Sequence, residues 1–349
     1  MHSPEDGRTA AVVGLGEVMV RLSPPGTGRL ETSRTLEVDV GGGEYNVIHA
    51  LARFGWSAAF VTRLPDQPLS RTVLAHARAA GIDVRHIQIV PYDGIGRSDR
   101  LGLYFAEIGA GVRGGQAVFD RGHSAAGGLG PESVDWNRVL APGVRWFHAG
   151  GIFPVLSPGC AEALARALEL AAARGLETSY DLNFRSALCS ASTAAQVNRR
   201  MLPQMTHLIG SPEGLAWLLA VDGEPAERSL EECLAALQQR YPRLKVVAGT
   251  VRRVRSGSRH DLGGFLWQDG VLWRDPGFED FEVVDRVGTG DAFSAGVIHG
   301  RLAGWAPGRM LRFALAHAVL VHTTRGDTSQ FTVAEVEELA AGQGAVMRR

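Results

Sequence analysis

The stretch VVDRVGTGDAFSAGVIHGRL, residues 283–302, decides the reading of this chain. A short apolar run leads into Gly288-Thr289-Gly290-Asp291, and AFSAGVIHGRL then carries helical periodicity. Glycine at 288 and 290 permits a tight turn and lets the N–H groups of a helix start point outward. Together with the helix dipole, those groups make an anion site suited to phosphate. Asp291, in the first turn, reads equally as an ordinary helix cap. A cap alone, however, requires neither the Gly-x-Gly before it nor the small residues Ala292, Ser294, Ala295 and Gly296 after it.

Outward from this stretch, short apolar runs alternate with helical patterns. AAVVGLG (10–16), SAAFVTRL (57–64), VRHIQIV (84–90), VRWFHAG (144–150), LETSYDLN (176–183), THLIG (206–210) and LKVVAG (244–249) read as buried strands. Between them, Val47, Ile48, Leu51 and Phe54, then Val73, Leu74 and Ala77, then Leu164, Leu168 and Ala171 have the spacing of helix faces. Such alternation predicts a doubly wound α/β fold, a mostly parallel sheet covered by helices on both sides. Residues 21–42 and 96–122 break the rhythm. Each reads as a pair of strands joined through glycine-containing turns, or else as surface loops; as strands they would form a small β-sheet lid over one end of the core. The core would then comprise 10–20, 43–95 and 123–349.

Composition narrows the function. The chain has 349 residues, 36 Lys and Arg against 37 Asp and Glu, and a formal charge of −1. That balance argues against a sequence-independent nucleic-acid binder. At about 150 residues per domain the length suits two domains, or one large domain with an insertion. Lys245 is the only lysine and has no glycine loop before it, which removes Walker-A and protein-kinase chemistry. The cysteines, Cys160, Cys189 and Cys233, lie far apart and suit a reducing compartment. No run of about 18 uncharged apolar residues appears, and MHSPEDGRTA lacks an apolar signal core. The expectation is a cytoplasmic protein with no membrane partner.

DRVGTGDAFSAG resembles the C-terminal signature of the ribokinase-like (phosphofructokinase-B type) carbohydrate kinases, and residues 40–87, opening VGGGEYNVIHA, resemble their N-terminal signature. The likeness runs from about residue 11 to 340. GLYFAEIG (102–109), FDRGHSAAG (119–127), YDLNFR (180–185) and HTTRGD (322–327) are most similar to the 2-keto-3-deoxygluconate kinases within that family. The resemblance implies ATP-dependent phosphorylation of a sugar-acid hydroxyl, with Asp291 as general base and the amides of Gly288, Thr289 and Gly290 around the travelling phosphoryl group. Thr289 stands where the family usually has alanine.

The same resemblance places Gly42, Gly43 and Asn46 at the sugar hydroxyls, and Tyr104, Phe119 and Arg121 on the lid against an acid sugar. Phe119 occupies a position where some members carry tyrosine. Asn183 and Arg185, read as i and i+2 on one side of a strand end, fall at the nucleotide phosphates and the substrate carboxylate. Gly249 and Thr250 fall in the adenosine-binding strand and loop. Mg²⁺ is implied alongside ATP. Asp285 aligns with a monovalent-cation position, implying K⁺, or is a surface acid. One departure is visible: where the family has Asn-x-x-Glu, this chain reads Ser211-Pro212-Glu213-Gly214, so Glu213 would reach the metal network only from a neighbouring place. Dimeric relatives imply a homo-oligomer paired through the lid.

Three alternatives stand beside this reading. One is another sugar kinase of the same fold, acting on fructose, a nucleoside or a different deoxy-sugar acid. Another is a sugar-binding regulator that has lost catalysis. The third, a dinucleotide enzyme, is suggested by VVGLGEVMV, but Met19 stands where the third glycine of G-x-G-x-x-G must let a helix pack.

Overall fold

The computed structural model describes residues 9–184, 188–220 and 228–343. Its strands are β1 (Val12–Leu15), β2 (Met19–Ser23), β3 (Glu37–Gly41), β4 (Ala58–Pro65), β5 (Ile87–Val90), β6 (Leu103–Glu107) and β7 (Gln116–Asp120). They continue with β8 (Trp146–Gly150), β9 (Glu177–Asp181), β10 (His207–Ile209), β11 (Val246–Ser256), β12 (Arg259–Gln268) and β13 (Val271–Glu282). Nine of them form one sheet in the order β13-β12-β11-β10-β9-β8-β1-β4-β5. From β11 to β5 every pairing is parallel.

Adjacent residues show why the sheet is covered on both faces. Side chains alternate along a strand, and in register Val12 lies beside Trp146 while Val13 lies beside Phe147. Val12 and Trp146 pack into a core with Ile48, Leu51 and Ile298, whereas Val13 and Phe147 pack into another with Leu164 and Leu168. Both faces are therefore apolar, and each has its own helices. Close approach helps: a Cβ on Gly14 would lie 2.4 Å from Ile48 Cγ1, and one on Gly296 would lie 2.6 Å from Ala314 Cα. The small residues after the 288–291 turn thus let the helix Thr289–Leu302 pack tightly against the helix Pro307–His322.

The alternation of runs did not reveal β12 and β13, which extend the sheet as antiparallel strands. Their signal was the Asp269-Gly270 pair, both at positive φ (52° and 80°), the two-residue turn that suits the twist of a hairpin. β11 also runs on to Ser256, so much of 247–258 is strand where a strand followed by a loop was expected.

A second sheet has the order β3-β2-β6-β7, with β2 and β6 parallel. Its first strand starts at Met19, ahead of residue 21, because the chain leaves β1 and re-enters extended structure after a single short turn. β7 is exposed along its whole length. The tip between β6 and β7 meets the β11–β12 hairpin, where Gly257 N–H donates to Gly111 O at 2.6 Å.

Candidate active site

A cleft of about 1490 Å³ opens between the small sheet and the carboxyl ends of the parallel strands. Crevices there are the usual ligand sites of open α/β sheets, and this one exceeds the roughly 300–1000 Å³ of a typical single-ligand pocket.

The 288–291 turn forms its floor. Gly288 adopts a left-handed conformation (φ 81°) at the N-cap of the helix Thr289–Leu302. A Cβ there would lie 2.0 Å from the carbonyl oxygen of Asp327, so only glycine fits. Gly290 faces open space, with nothing within 4 Å of where its Cβ would be. Thr289 is buried and its hydroxyl donates to Arg286 O at 3.0 Å, which packs the side chain inward and leaves the turn's amides alone. Asp291 follows within the first turn, where the dipole favours a carboxylate. Asn46 Nδ2–H donates to Asp291 Oδ2 at 2.7 Å, and Asn46 Oδ1 accepts from Gly42 N–H at 3.2 Å. The two signatures, 245 residues apart, thus meet in one hydrogen bond. At Gly43 a Cβ would fall 3.2 Å from Asn183 Nδ2 and 3.6 Å from Asp291 Oδ1, so three of the expected site residues converge there.

Other expected residues sit differently. β9 ends at Asp181, and Asn183 lies beyond it at φ 28°, in the left-handed region that asparagine tolerates. The same-face argument for 183 and 185 therefore fails at Asn183, although Asn183 still lines the cleft. Arg185 lies outside the described residues. Gly249 is locked into the sheet: a Cβ would lie 1.9 Å from Gly210 O. Neither Gly249 nor Thr250 lines the cleft, whereas Arg252, further along β11, does. Ser211 caps the helix Pro212–Leu219, accepting from Gly214 N–H at 3.2 Å. Ser-Pro-Glu is a sound helix start in its own right, which leaves Glu213 exposed and off the cleft lining. Asp285 is not a surface acid. It is buried and 2.6 Å from Arg21 Nη2.

The lid supplies a charged roof that pattern reading only partly foresaw. Arg121 forms a buried ion pair with Glu17. Glu17 Oε1 and Arg121 Nε, both buried, have no hydrogen-bond partner among the described residues. The Tyr104 ring stacks on Phe119 at 5.3 Å, and its hydroxyl donates to Asp327 Oδ2. Phe119 is 42% exposed on the lid. Burial raises the Tyr104 hydroxyl well above its ordinary pKa and raises Asp327 as well. Glu44, beneath the turn, is pushed up to about 8 by burial, with Asp291 and Glu17 adding to the rise. Glu17 and Arg21 carried no motif of their own, and Asp327 only closes the HTTRGD segment: each becomes part of the site because the lid folds over the core.

Residues 9–333 match the description pfkB family carbohydrate kinase. The chain belongs to that family and is a sugar kinase. It is 31% identical over 341 residues to the 2-dehydro-3-deoxygalactonokinase of Haloferax volcanii, covering 98% of this chain and 100% of that one. The 2-dehydro-3-deoxygluconokinase of Thermoproteus tenax is 27% identical over 336 residues, 94% of each chain. Among solved structures, the 2-dehydro-3-deoxygluconokinase from Thermotoga maritima matches with a TM-score of 0.86 at 33% identity, covering 95% of this chain and 99% of that one. No helix among the described residues is long and apolar enough to cross a membrane.

Proposed function

We propose that this kinase transfers the γ-phosphoryl group of ATP to a hydroxyl of a 2-keto-3-deoxy sugar acid, 2-keto-3-deoxygluconate first among them. The observation that carries the reading is a carboxylate, Asp291, and a guanidinium, Arg121, lining one cleft. Asp291 takes the proton of the attacking hydroxyl, while Asn46 holds its Oδ2 and so orients the carboxylate. The amides of Gly288, Thr289 and Gly290, at a helix N-terminus, receive the oxygens of the travelling phosphoryl group. Little covalent chemistry is asked of the protein, because phosphoryl transfer depends on positioning and charge stabilisation.

Arg121 answers the sugar's carboxylate. Its pairing with Glu17 holds the guanidinium in place beside the cleft. Gly42 and Gly43 admit the sugar hydroxyls to the start of the helix Gly43–Arg53, and Asn183 and Arg185 are assigned to the nucleotide phosphates. Bound alongside ATP, Mg²⁺ would supply neutralisation of phosphate charge. The described residues hold no cluster of three His, Cys, Asp or Glu side chains able to cage a metal.

A coupled assay for ADP release across sugar acids and neutral sugars tests the assignment. The panel includes 2-keto-3-deoxygluconate, its galactonate epimer, fructose and a nucleoside. Turnover confined to the keto-deoxy acids is expected. Equal turnover of neutral hexoses would remove the role given to Arg121.

A further inference from the structure

Arg21 lies on the lid strand β2, yet its guanidinium is 1% exposed and makes two ion pairs with the core: Nη2 to Asp285 at 2.6 Å and Nη1 to Asp327 at 2.9 Å. Its Nε–H donates to Ser23 Oγ at 2.8 Å. The remaining carboxylate atoms are also engaged. Asp285 Oδ1 accepts from Val287 N–H at 3.1 Å, Asp285 Oδ2 also accepts from Gly326 N–H at 3.4 Å, and Asp327 Oδ2 accepts from the Tyr104 hydroxyl. A Cβ on Gly41, at the end of β3, would lie 2.2 Å from Asp327 Oδ2. Strands β2, β3 and β6 of the lid therefore all close on the Asp327 carboxylate.

These two aspartates flank the catalytic turn. Asp285 precedes Gly288 by three residues, and the Asp327 carbonyl occupies the space where a Cβ on Gly288 would stand. Resting on the phosphoryl-transfer reading above, we propose that Arg21 is the resident cation of this site: a positioning residue that sets the 288–290 turn from the lid and makes the kinase independent of any bound monovalent cation.

The physical case is one of occupancy. A potassium ion needs several oxygen ligands facing it, and each oxygen of Asp285 and Asp327 already accepts from an N–H or O–H, so the ion would have to share every one of them with a donor. A second cation would also meet a full guanidinium charge in a buried place where screening is weak. Arginine suits the post because it stays charged when buried and its planar fork spans two carboxylates at once. The nearby Asp39 carboxyl, raised by burial and lowered by Arg21, is only half-buried. A removed Arg21 leaves two buried, unpaired carboxylates, so the vacated place should become an acquired cation site.

The purified full chain is assayed with ATP and 2-keto-3-deoxygluconate in potassium, sodium and tetramethylammonium chloride at equal ionic strength, and unfolding temperature is measured in the same salts without substrates. For the wild type, kcat is expected to change by less than about two-fold among the salts, with no potassium-specific rise in unfolding temperature. Arg21→Met should lose about ten-fold or more in kcat with the KM for ATP little changed, and should gain activity with potassium; Arg21→Lys should recover part of the loss. A wild-type kcat that rises about ten-fold with potassium, or a potassium-specific thermal shift, overturns the proposal. So does an Arg21→Met variant with undiminished kcat. If Arg21→Met does not fold, the wild-type thermal and kinetic series decide alone. If the wild type turns over no sugar, the phosphoryl-transfer reading fails, and the thermal series still tests cation occupancy.

Discussion

The two walls of the cleft are built differently. The floor, from Gly288 to Asp291, grows out of a helix whose residues are nearly all buried: Thr289 is 7% exposed, and Gly296 sits against the backbone of Ala314. The roof is a four-stranded sheet whose outer strand β7 is exposed throughout, and Phe119 on it is 42% exposed. It is held down by a few charged contacts, Arg21 on Asp285 and Asp327 and Arg121 on Glu17. Under the proposed function, chemistry that needs fixed geometry falls on the packed element and selection among sugars on the less packed roof. The contrast predicts that floor changes act on kcat and stability, and that roof changes at the sugar end act on KM for the sugar, with Arg21 set apart because its guanidinium acts on the floor.

The sharpest break of that division is Asp291→Asn, which removes the proposed base while keeping the side-chain shape. We expect kcat to fall by about 10²–10⁴-fold in steady-state assays, with KM for both substrates within a few-fold. Retained turnover would move the base elsewhere. On the roof, Arg121→Ala should raise KM for the sugar acid by about 10–100-fold, the worth of a lost charge-assisted hydrogen bond, and leave KM for ATP nearly unchanged. Glu17→Gln should give a smaller rise in the same KM, since it loosens the guanidinium without deleting it.

Gly296→Ala tests the packing of the floor. Its Cβ would fall 2.6 Å from Ala314 Cα, and backbone cannot step aside as a side-chain tip can. A loss of about 1–3 kcal/mol in denaturant titrations is expected. A further effect, spread across a range of pH, concerns Glu44, whose carboxyl burial pushes up from 4.5 to about 8. With the folded pKa above the unfolded one, the associated stability is complete below about pH 4.5 and drains away as pH rises through about 8. Within that window the slope contributed by Glu44 is at most about 1.4 kcal/mol per pH unit. Glu44→Gln should flatten the fall in unfolding free energy measured across it.

How much of this was visible before folding follows from locality. The 288–291 turn was legible because its signal is local: two glycines, a first-turn carboxylate and a helical apolar face lie within one short stretch. Asn46 was legible for the same reason, at the opening of its own helix. The parallel core was legible because buried strands and amphipathic helices carry different periods. The β12–β13 hairpin was passed over although Asp269-Gly270 marks it, since its strands lack a clean two-residue alternation. Thr250 and Glu213 were placed by alignment alone, and the structure keeps both off the cleft lining.

Sequence alone therefore determined the fold class and the glycine turn at 288–291 with its first-turn carboxylate, because each is written in the spacing of residues that are neighbours along the chain. Only the tertiary structure decided that Asp285 would be buried against Arg21, that Tyr104 would donate to Asp327, and that Arg121 would rest on Glu17. Those contacts join residues that are distant along the chain, up to 306 positions apart for Arg21 and Asp327. An isolated arginine or aspartate reads the same on a surface as in a site. Its meaning is set by the low-dielectric place to which the lid carries it and by the partner that waits there.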